Sequence, residues 1–304
     1  MEHFLKLLPK LSTQMRKGDC GKIGIIGGSV EYTGAPYFSA ATVSRLGADL
    51  IHVFCAPDAA PIIKGYSPDL IVHPGMQHEI ILPKLERIDA LVLGPGLGRS
   101  KDLWPLITSL YEYVKSTGKP FVMDGDALWF LQEDLKAFPK LDSAILTPNC
   151  IEFSRLCHKA LGVENVHIEH WKNREKVREL AIALSKKLQV AIFLKGETDE
   201  VITTNGEMSI CSTQGSLRRC GGQGDVTAGA LALLLFWARK KDLDWTTAFH
   251  EAGIANSWIV RTAGRRAFER LGRSMVTPAL IEELTNVILS VETREVIDTV
   301  HSSM

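Results

Sequence analysis

Near residue 221 the chain reads Gly221-Gly222-Gln223-Gly224-Asp225 and then turns helical. Three glycines let successive backbone N–H groups aim at one point, and the opening helix adds the positive end of its dipole. Such a cradle suits a phosphoryl group that gathers charge during transfer. A carboxylate at its mouth would repel phosphate unless it serves the chemistry. Accepting the proton of an attacking hydroxyl is a role that fits. The alternative is an ordinary Gly-rich turn with Asp225 as a helix N-cap.

Other candidates also follow short apolar runs. They are Asp124-Gly125-Asp126, then Thr147-Pro148-Asn149-Cys150-Ile151-Glu152, then Lys195-Gly196-Glu197-Thr198-Asp199. Asn149 and Glu152 are three residues apart at a helix start, so they share a face. An amide oxygen and a carboxylate there could hold Mg²⁺ through waters, or could form only a capping box. Lys195 could meet a nucleotide phosphate or be a solvated strand-end lysine. Asp124 and Asp126 could orient metal or substrate, with Asp126 equally readable as an N-cap. Gly27-Gly28-Ser29 does not give G-x-G-x-x-G, and Gly94-Pro95-Gly96-Leu97-Gly98 is a second backbone cradle or a tight turn. P-loop, serine-hydrolase-elbow and protein-kinase motifs are missing.

Ligands of open α/β sheets bind beyond the carboxyl ends of the strands, so the elements matter. Expected strands are Lys22–Ile26, Leu50–Phe54, Leu70–Val72, Ala90–Leu93, Phe121–Met123, Ala144–Leu146 and Ala191–Leu194. Most are apolar throughout, as in parallel strands covered on both faces. Helical stretches fall at Pro36–Leu46, Leu103–Ser116, Cys150–Ala160 and Trp171–Lys187. This alternation predicts right-handed βαβ units. Val201–Thr204 and Met208–Cys211 flank Asn205-Gly206, which predicts an antiparallel edge hairpin with positive φ at both turn residues. Three helices should follow, over Asp225–Lys241, Trp245–Phe268 and Pro278–Thr293. The expectation is one α/β domain over 1–304, its core from about residue 15 to 293, with a mostly parallel sheet and an antiparallel edge.

Composition narrows the function. The 304 residues are 45% hydrophobic, enough for a substantial core, and 35 basic residues balance 35 acidic ones. That balance argues against a nucleic-acid footprint. Six scattered cysteines without a C-x-x-C pair read as reduced thiols in an intracellular protein. His167 and His170 lack an H-E-x-x-H context, so zinc is not expected. Met1 to Lys17 is amphipathic and has neither a secretory core nor transit-peptide composition. The longest apolar run, Ala228 to Ala238, falls short of the ~20 residues that span a bilayer and reads as a buried helix.

With these residues assembled, Gly222-Gln223-Gly224-Asp225 resembles the anion-hole motif of ribokinase-like enzymes, and Asn149 to Glu152 their N-x-x-E motif. Lys22-Ile23-Gly24, Gly27-Gly28-Ser29, Tyr32-Thr33-Gly34-Ala35-Pro36, Gly94 to Gly98, Asp124 to Leu128 and Thr147-Pro148-Asn149 narrow it. In this order they resemble the NAD(P)H-hydrate dehydratases, in particular the ATP-using branch, over roughly Lys17 to Leu289.

The resemblance implies a three-layer αβα ribokinase-like fold and repair of the 6S hydrate of NADH or NADPH with ATP and Mg²⁺. Asp225 would be the base on the hydrate hydroxyl, with Gly221, Gly222 and Gly224 forming the anion hole. Ala35, Gly96 and the run Asn149, Cys150, Ile151, Glu152, Phe153, Ser154, Arg155 would contact the hydrate, with Glu152 near Mg²⁺ through water. Lys195, Gly196, Glu197, Thr198 and Asp199 would bind nucleotide. So would Gly215, Ser216, Leu217, Arg218, Arg219, Cys220 and Gln223, together with the anion-hole glycines. Gln223 replaces the small residue of many bacterial members and favours ATP over ADP. The resemblance further implies a cytoplasmic homo-oligomer, with a mitochondrial form left open, working beside an NAD(P)H-hydrate epimerase. The rival is a kinase of the same fold acting on a vitamin-precursor alcohol.

Overall fold

The computed structural model describes residues 1–163, 166 and 173–302. His167, His170 and the expected helix start at Trp171 lie outside the described residues. In chain order the elements are α1 (Glu2–Leu7), β1 (Lys22–Ile26), α2 (Gly34–Arg45), β2 (Leu50–Cys55), α3 (Ala60–Tyr66), β3 (Leu70–Pro74), α4 (His78–Leu85) and β4 (Ala90–Leu93). Then come α5 (Trp104–Thr117), β5 (Phe121–Met123), α6 (Asp126–Glu133), β6 (Ala144–Leu146), α7 (Cys150–Leu161), α8 (Arg174–Leu188) and β7 (Ala191–Leu194). The chain continues through β8 (Asp199–Ile202), β9 (Met208–Cys211), α9 (Gln223–Lys240), α10 (Trp245–Leu271) and α11 (Thr277–Ser302).

One nine-stranded sheet runs in the order β3-β2-β1-β4-β5-β6-β7-β8-β9. The pairs from β3 through β7 are parallel, while β7-β8 and β8-β9 are antiparallel. Alternate strand residues face opposite ways and feed two apolar cores. Ile23, Ile25, Val92, Val122 and Phe193 meet α1, α2, α9, α10 and α11 on one face. Leu91, Leu93, Met123, Leu146 and Leu194 meet α4 to α8 on the other. The result is the expected αβα sandwich.

The seven parallel strands follow the expected runs closely, most of them ended by a glycine or polar residue, while β8 lies two residues earlier than expected, over Asp199–Ile202 rather than Val201–Thr204. Helix α11 runs on to Ser302, past the expected Thr293, and other details differ as well. The hairpin turn closes through Gly206 N to Thr203 O, 2.9 Å, and Thr203 N to Glu207 O, 3.0 Å. Gly206 has φ 91° and Asn205 stays at negative φ. The loop is therefore a three-residue turn with one left-handed glycine, not a two-residue turn with two positive φ values. The core also begins before residue 15, since Phe4 and Leu7 of α1 are fully buried against α10. Finally, α9 starts at Gln223 rather than Asp225.

Helix α9 holds the site in place. The run Ala228 to Ala238 lies within this buried helix, and no helix of the described residues is long and apolar enough to cross a membrane. Leu231, Leu233, Leu234 and Leu235 are all fully buried. Each contributes roughly 1.5–3 kcal/mol relative to exposure, which outweighs the ~1 kcal/mol that an interior glycine costs a helix. That glycine, Gly229, lets α2 come close: a Cβ there would lie 2.4 Å from the Ser39 carbonyl oxygen. Gly229→Ala should therefore push α2 from α9 and lower stability by about 1–3 kcal/mol, read as a shifted urea midpoint. An unchanged midpoint would show that the two helices have room to part.

Candidate active site

The loops at the carboxyl ends of the parallel strands interlock through glycines. A Cβ on Gly94 would lie 1.8 Å from the Asp124 carbonyl oxygen, and one on Gly27 would lie 2.1 Å from that of Pro95. These contacts admit only hydrogen, so the turns after β1, β4 and β5 form one rigid rim. Gly96, at φ +58°, brings that rim to α2: its added Cβ would stand 3.3 Å from the Ala35 Cβ. Ala35 and Gly96 thus meet at the rim. Asp126 is the first residue of α6, after Gly125, and is not its N-cap. Its carboxylate accepts from Gly98 N at 2.9 Å and from Arg99 Nε at 2.9 Å, so it braces the rim.

Across the rim, Gly222 caps α9 with φ 96°. No side chain caps this helix, so the first-turn amides of Gln223 and Gly224 stay available to an anion. Asp225, at the third helical position, is not the N-cap. The Gly222 bend is fixed by packing, because a Cβ there would be 2.6 Å from the Phe38 ring. Thr277 Oγ1 donates to Gly221 O at 2.6 Å, and Ser39 Oγ donates to Asp225 O at 2.8 Å. Phe38, Ser39 and Thr277 carry no catalytic-looking motif, and sequence reasoning missed them.

Lys195 and Asp124 form the electrostatic centre. Lys195 Nζ donates to Asp124 Oδ1 at 2.7 Å, and Thr147 Oγ1 donates to the same oxygen at 2.8 Å. A Cβ on Gly224 would be 3.2 Å from Lys195 Nζ, so the pair abuts the anion hole. Burial pushes the Asp225 carboxyl up to about 8; Asp124 and Glu152 add to the rise and Lys195 opposes it. Burial also raises Glu152, with Asp124 adding and Lys195 and the Asn149 amide opposing. Burial alone would lower Lys195, but Asp124 and Glu152 outweigh it and hold the ammonium above its ordinary value.

Asn149 and Glu152 do form the capping box. Asn149 Oδ1 accepts from the amides of Ile151 and Glu152 at 2.9 and 3.1 Å, and Glu152 Oε2 accepts from Asn149 N at 2.8 Å. The box does not remove Glu152 from the site, since it shares the field of Lys195 and Asp225. Three carboxylates surround one ammonium there, a surplus of negative charge that suits a cation. Among the described residues no three acidic, histidine or cysteine groups converge into a metal cage. The donor set therefore fits Mg²⁺ held by one carboxylate, waters and substrate phosphates.

Some expected contacts turn elsewhere. The Phe153 side chain is fully buried in the core, and Ser154 Oγ donates to Val166 O. Cys150 is half-buried, while Ile151 and Arg155 are exposed. Asp199 turns inward, accepting from Arg261 Nη2 and Nε at 2.6 Å each and from Ser257 Oγ at 2.7 Å. The side chains of Phe153 and Asp199 are thus spent inside the protein. Arg261 also donates to the carbonyls of Gly196 and Glu197 at 2.8 Å, and to Thr213 O at 3.4 Å. It thereby ties the Lys195–Asp199 loop to the chain entering Gly215. A lone arginine in a long helix gave no sign of this in the sequence. Thr198 Oγ1 accepts from Arg174 at 2.7 Å. Gln223 Nε2 donates to Arg218 O at 3.0 Å and braces the loop holding Ser216, Leu217, Arg219 and Cys220. Leu217, Arg218 and Arg219 are exposed at its tip.

The same architecture occurs in a ribokinase-like superfamily protein from Enterococcus faecalis V583. Its TM-score is 0.74 at 18% identity, over 95% of this chain and 94% of its own. The fold is ribokinase-like, and the site adds what phosphoryl transfer to a hydroxyl needs: an anion hole with a carboxylate beside it. Residues 23–286 match the family model described as NAD(P)H-hydrate dehydratase. The ATP-dependent (S)-NAD(P)H-hydrate dehydratase of Caenorhabditis briggsae is 64% identical over 99% of this chain and 98% of its own. This chain belongs to the NAD(P)H-hydrate dehydratase family. The Bacillus subtilis ADP/ATP-dependent NAD(P)H-hydrate dehydratase, co-crystallized with ATP/Mg²⁺, has a TM-score of 0.72 at 20% identity. That match covers 95% of this chain and 96% of its own.

The arrangement makes Asp225 a titrating group near neutrality. Its native carboxyl keeps its proton to higher pH than an unfolded aspartate, whose value is about 4. Its contribution to stability is thus present below pH ~4 and lost as pH rises through about 8. Carboxyl ¹³C NMR should show Asp225 titrating near 8. Asp124→Asn should move that midpoint down and Lys195→Met should move it up. A midpoint in the ordinary aspartate range would refute the buried cluster.

Proposed function

We infer that this chain removes water from the 6S hydrate of NADH or NADPH, converting ATP to ADP and phosphate. The observation that carries this reading is Asp225 beside the open amides of the α9 N-terminus, in a chain 64% identical to an enzyme of that name. Hydroxide is a poor leaving group, which explains why a kinase-like site would serve a dehydration. The hydrate hydroxyl attacks the terminal phosphorus of ATP, its proton passes to the Asp225 carboxylate, and ADP departs. The backbone N–H groups of Gly222 to Gly224 hold the transferring phosphoryl oxygens. The ring nitrogen lone pair then expels phosphate by breaking the C–O bond. Loss of the neighbouring ring proton restores the double bond and gives NAD(P)H.

Lys195 stands beside Gly224, placed to meet the phosphates, and its hold on Asp124 keeps it there. Glu152, with waters and the substrate phosphates, would hold Mg²⁺, which when bound neutralises phosphate charge and orients the leaving group. Arg261 positions both nucleotide loops through their carbonyls. The reading further carries a cytoplasmic location, a homo-oligomeric state and an epimerase that supplies the 6S hydrate from its 6R epimer. These rest on the likeness to the family and on its stereochemistry.

Absorbance at 340 nm, the dihydronicotinamide band, should rise when protein, NADH hydrate, Mg²⁺ and ATP are mixed. ADP should not replace ATP, and one inorganic phosphate should appear per NADH. A stable phosphorylated product with no rise would instead indicate a small-molecule kinase.

A further inference from the structure

We propose that the recess beside the Gly125 turn seats a phosphate of the dinucleotide substrate, gripped by Arg99 and Arg155 against the Trp129 ring. Arg99, Gly125, Trp129, Gln132, Glu152 and Arg155 line it; it is open to solvent on one side and its cavity volume is about 30 Å³. That is below the ~300–1,000 Å³ that seats a whole drug-sized ligand, so the recess takes a fragment.

Two guanidinium groups outnumber the single lining carboxylate, Glu152, so the recess favours an anion on its Arg99 and Arg155 side. Arg99 is preset on two sides: its Nε donates to Asp126 Oδ1 at 2.9 Å, and its guanidinium lies 5.6 Å from the Trp129 ring centroid. The only hydrogen bond from Arg99 among the described residues runs through Nε, and Arg155 lies in the field of the one lining carboxylate, Glu152. A preset guanidinium with open terminal donors matches the fork geometry of phosphate recognition. The cation also draws the Trp129 ring to itself, which leaves a flat apolar wall beside the charge.

Its position assigns the ligand. The recess touches Gly125 and Glu152, so it opens beside Asp124, Lys195 and Asp225. It shares no residue with the Lys195–Asp199 and Gly215–Gly224 loops that take the phosphoryl donor. The remaining substrate must therefore extend into it from the reacting ring. This step rests on the dehydratase reading, in which that substrate is a dinucleotide with a diphosphate bridge and, in NADPH hydrate, a further ribose phosphate. Either phosphate has the chemistry the two arginines select.

The test compares KM and kcat of the wild type, Arg99→Gln, Arg155→Gln and Arg99→Lys with both hydrates under saturating ATP. The glutamine variants should raise KM for hydrate about 10-fold or more, as loss of a charged hydrogen bond implies, while KM for ATP and kcat stay within about twofold. Lysine at 99 should recover part of the loss. A rise with both hydrates identifies the diphosphate bridge, and a rise with NADPH hydrate alone identifies the ribose phosphate. Arg155 is exposed, so its variant reports even if the Arg99 rim is disturbed. Unchanged hydrate KM in both glutamine variants of an enzyme that still restores the 340 nm band overturns the assignment. An inactive wild type would sink the dehydratase reading and this inference with it.

Discussion

The ion pair between Lys195 and Asp124, 2.7 Å long, joins the end of β7 to the end of β5 across β6. Glu152 and Asp225 both lie in its field. One ammonium faces three carboxylates, and burial keeps water from screening them. With Asp124 bound by both Lys195 and Thr147, the unmatched charge falls on Glu152 and Asp225. Asp225 therefore has a proton affinity far above that of an exposed aspartate, near the range in which a general base is effective. Burial is the larger cause, with Asp124 and Glu152 adding to the rise and Lys195 opposing it.

A second constraint is steric. Phosphoryl transfer needs the hole, the base and the acceptor hydroxyl held within narrow limits. The chain meets that need with glycines at close approaches, not with many side-chain bonds. Gly94 against Asp124, Gly27 against Pro95 and Gly222 against Phe38 each leave no room for a methyl group. Helix α2 completes the frame, carrying Ala35 to Gly96 at one end and Ser39 to the Asp225 backbone one turn further on. Helix α9 is both the core of one layer and the floor of the anion hole. Packing and catalysis are thus coupled through a single element.

Much of this was legible in the sequence because parallel strands announce themselves as short apolar runs ended by polar or glycine residues. The seven parallel strands fall where those runs lie, with β8 of the edge hairpin two residues earlier. The Gly-x-Gly-Asp signal was readable for the same physical reason that it works, since few other residues permit that backbone. Long-range pairings were not readable. Nothing local shows that Asp126 would brace Gly98 rather than cap its own helix, or that Asp199 would turn inward to Arg261, 62 residues away. The Asn205-Gly206 turn misled because two- and three-residue hairpin loops share those residue types, and strand register chose between them. The segment from Met1 to Lys17 reads as amphipathic, but nothing local shows that Phe4 and Leu7 would be buried against α10.

The central claim is that Asp225 takes the proton of the attacking hydroxyl at the α9 anion hole. Its most direct test is single-turnover phosphoryl transfer from ATP in Asp225→Asn, with binding of ATP and hydrate measured alongside. The account predicts retained binding of both and a transfer rate lower by about 10²–10⁴-fold. A transfer rate close to that of the wild type, with both ligands bound, would contradict it.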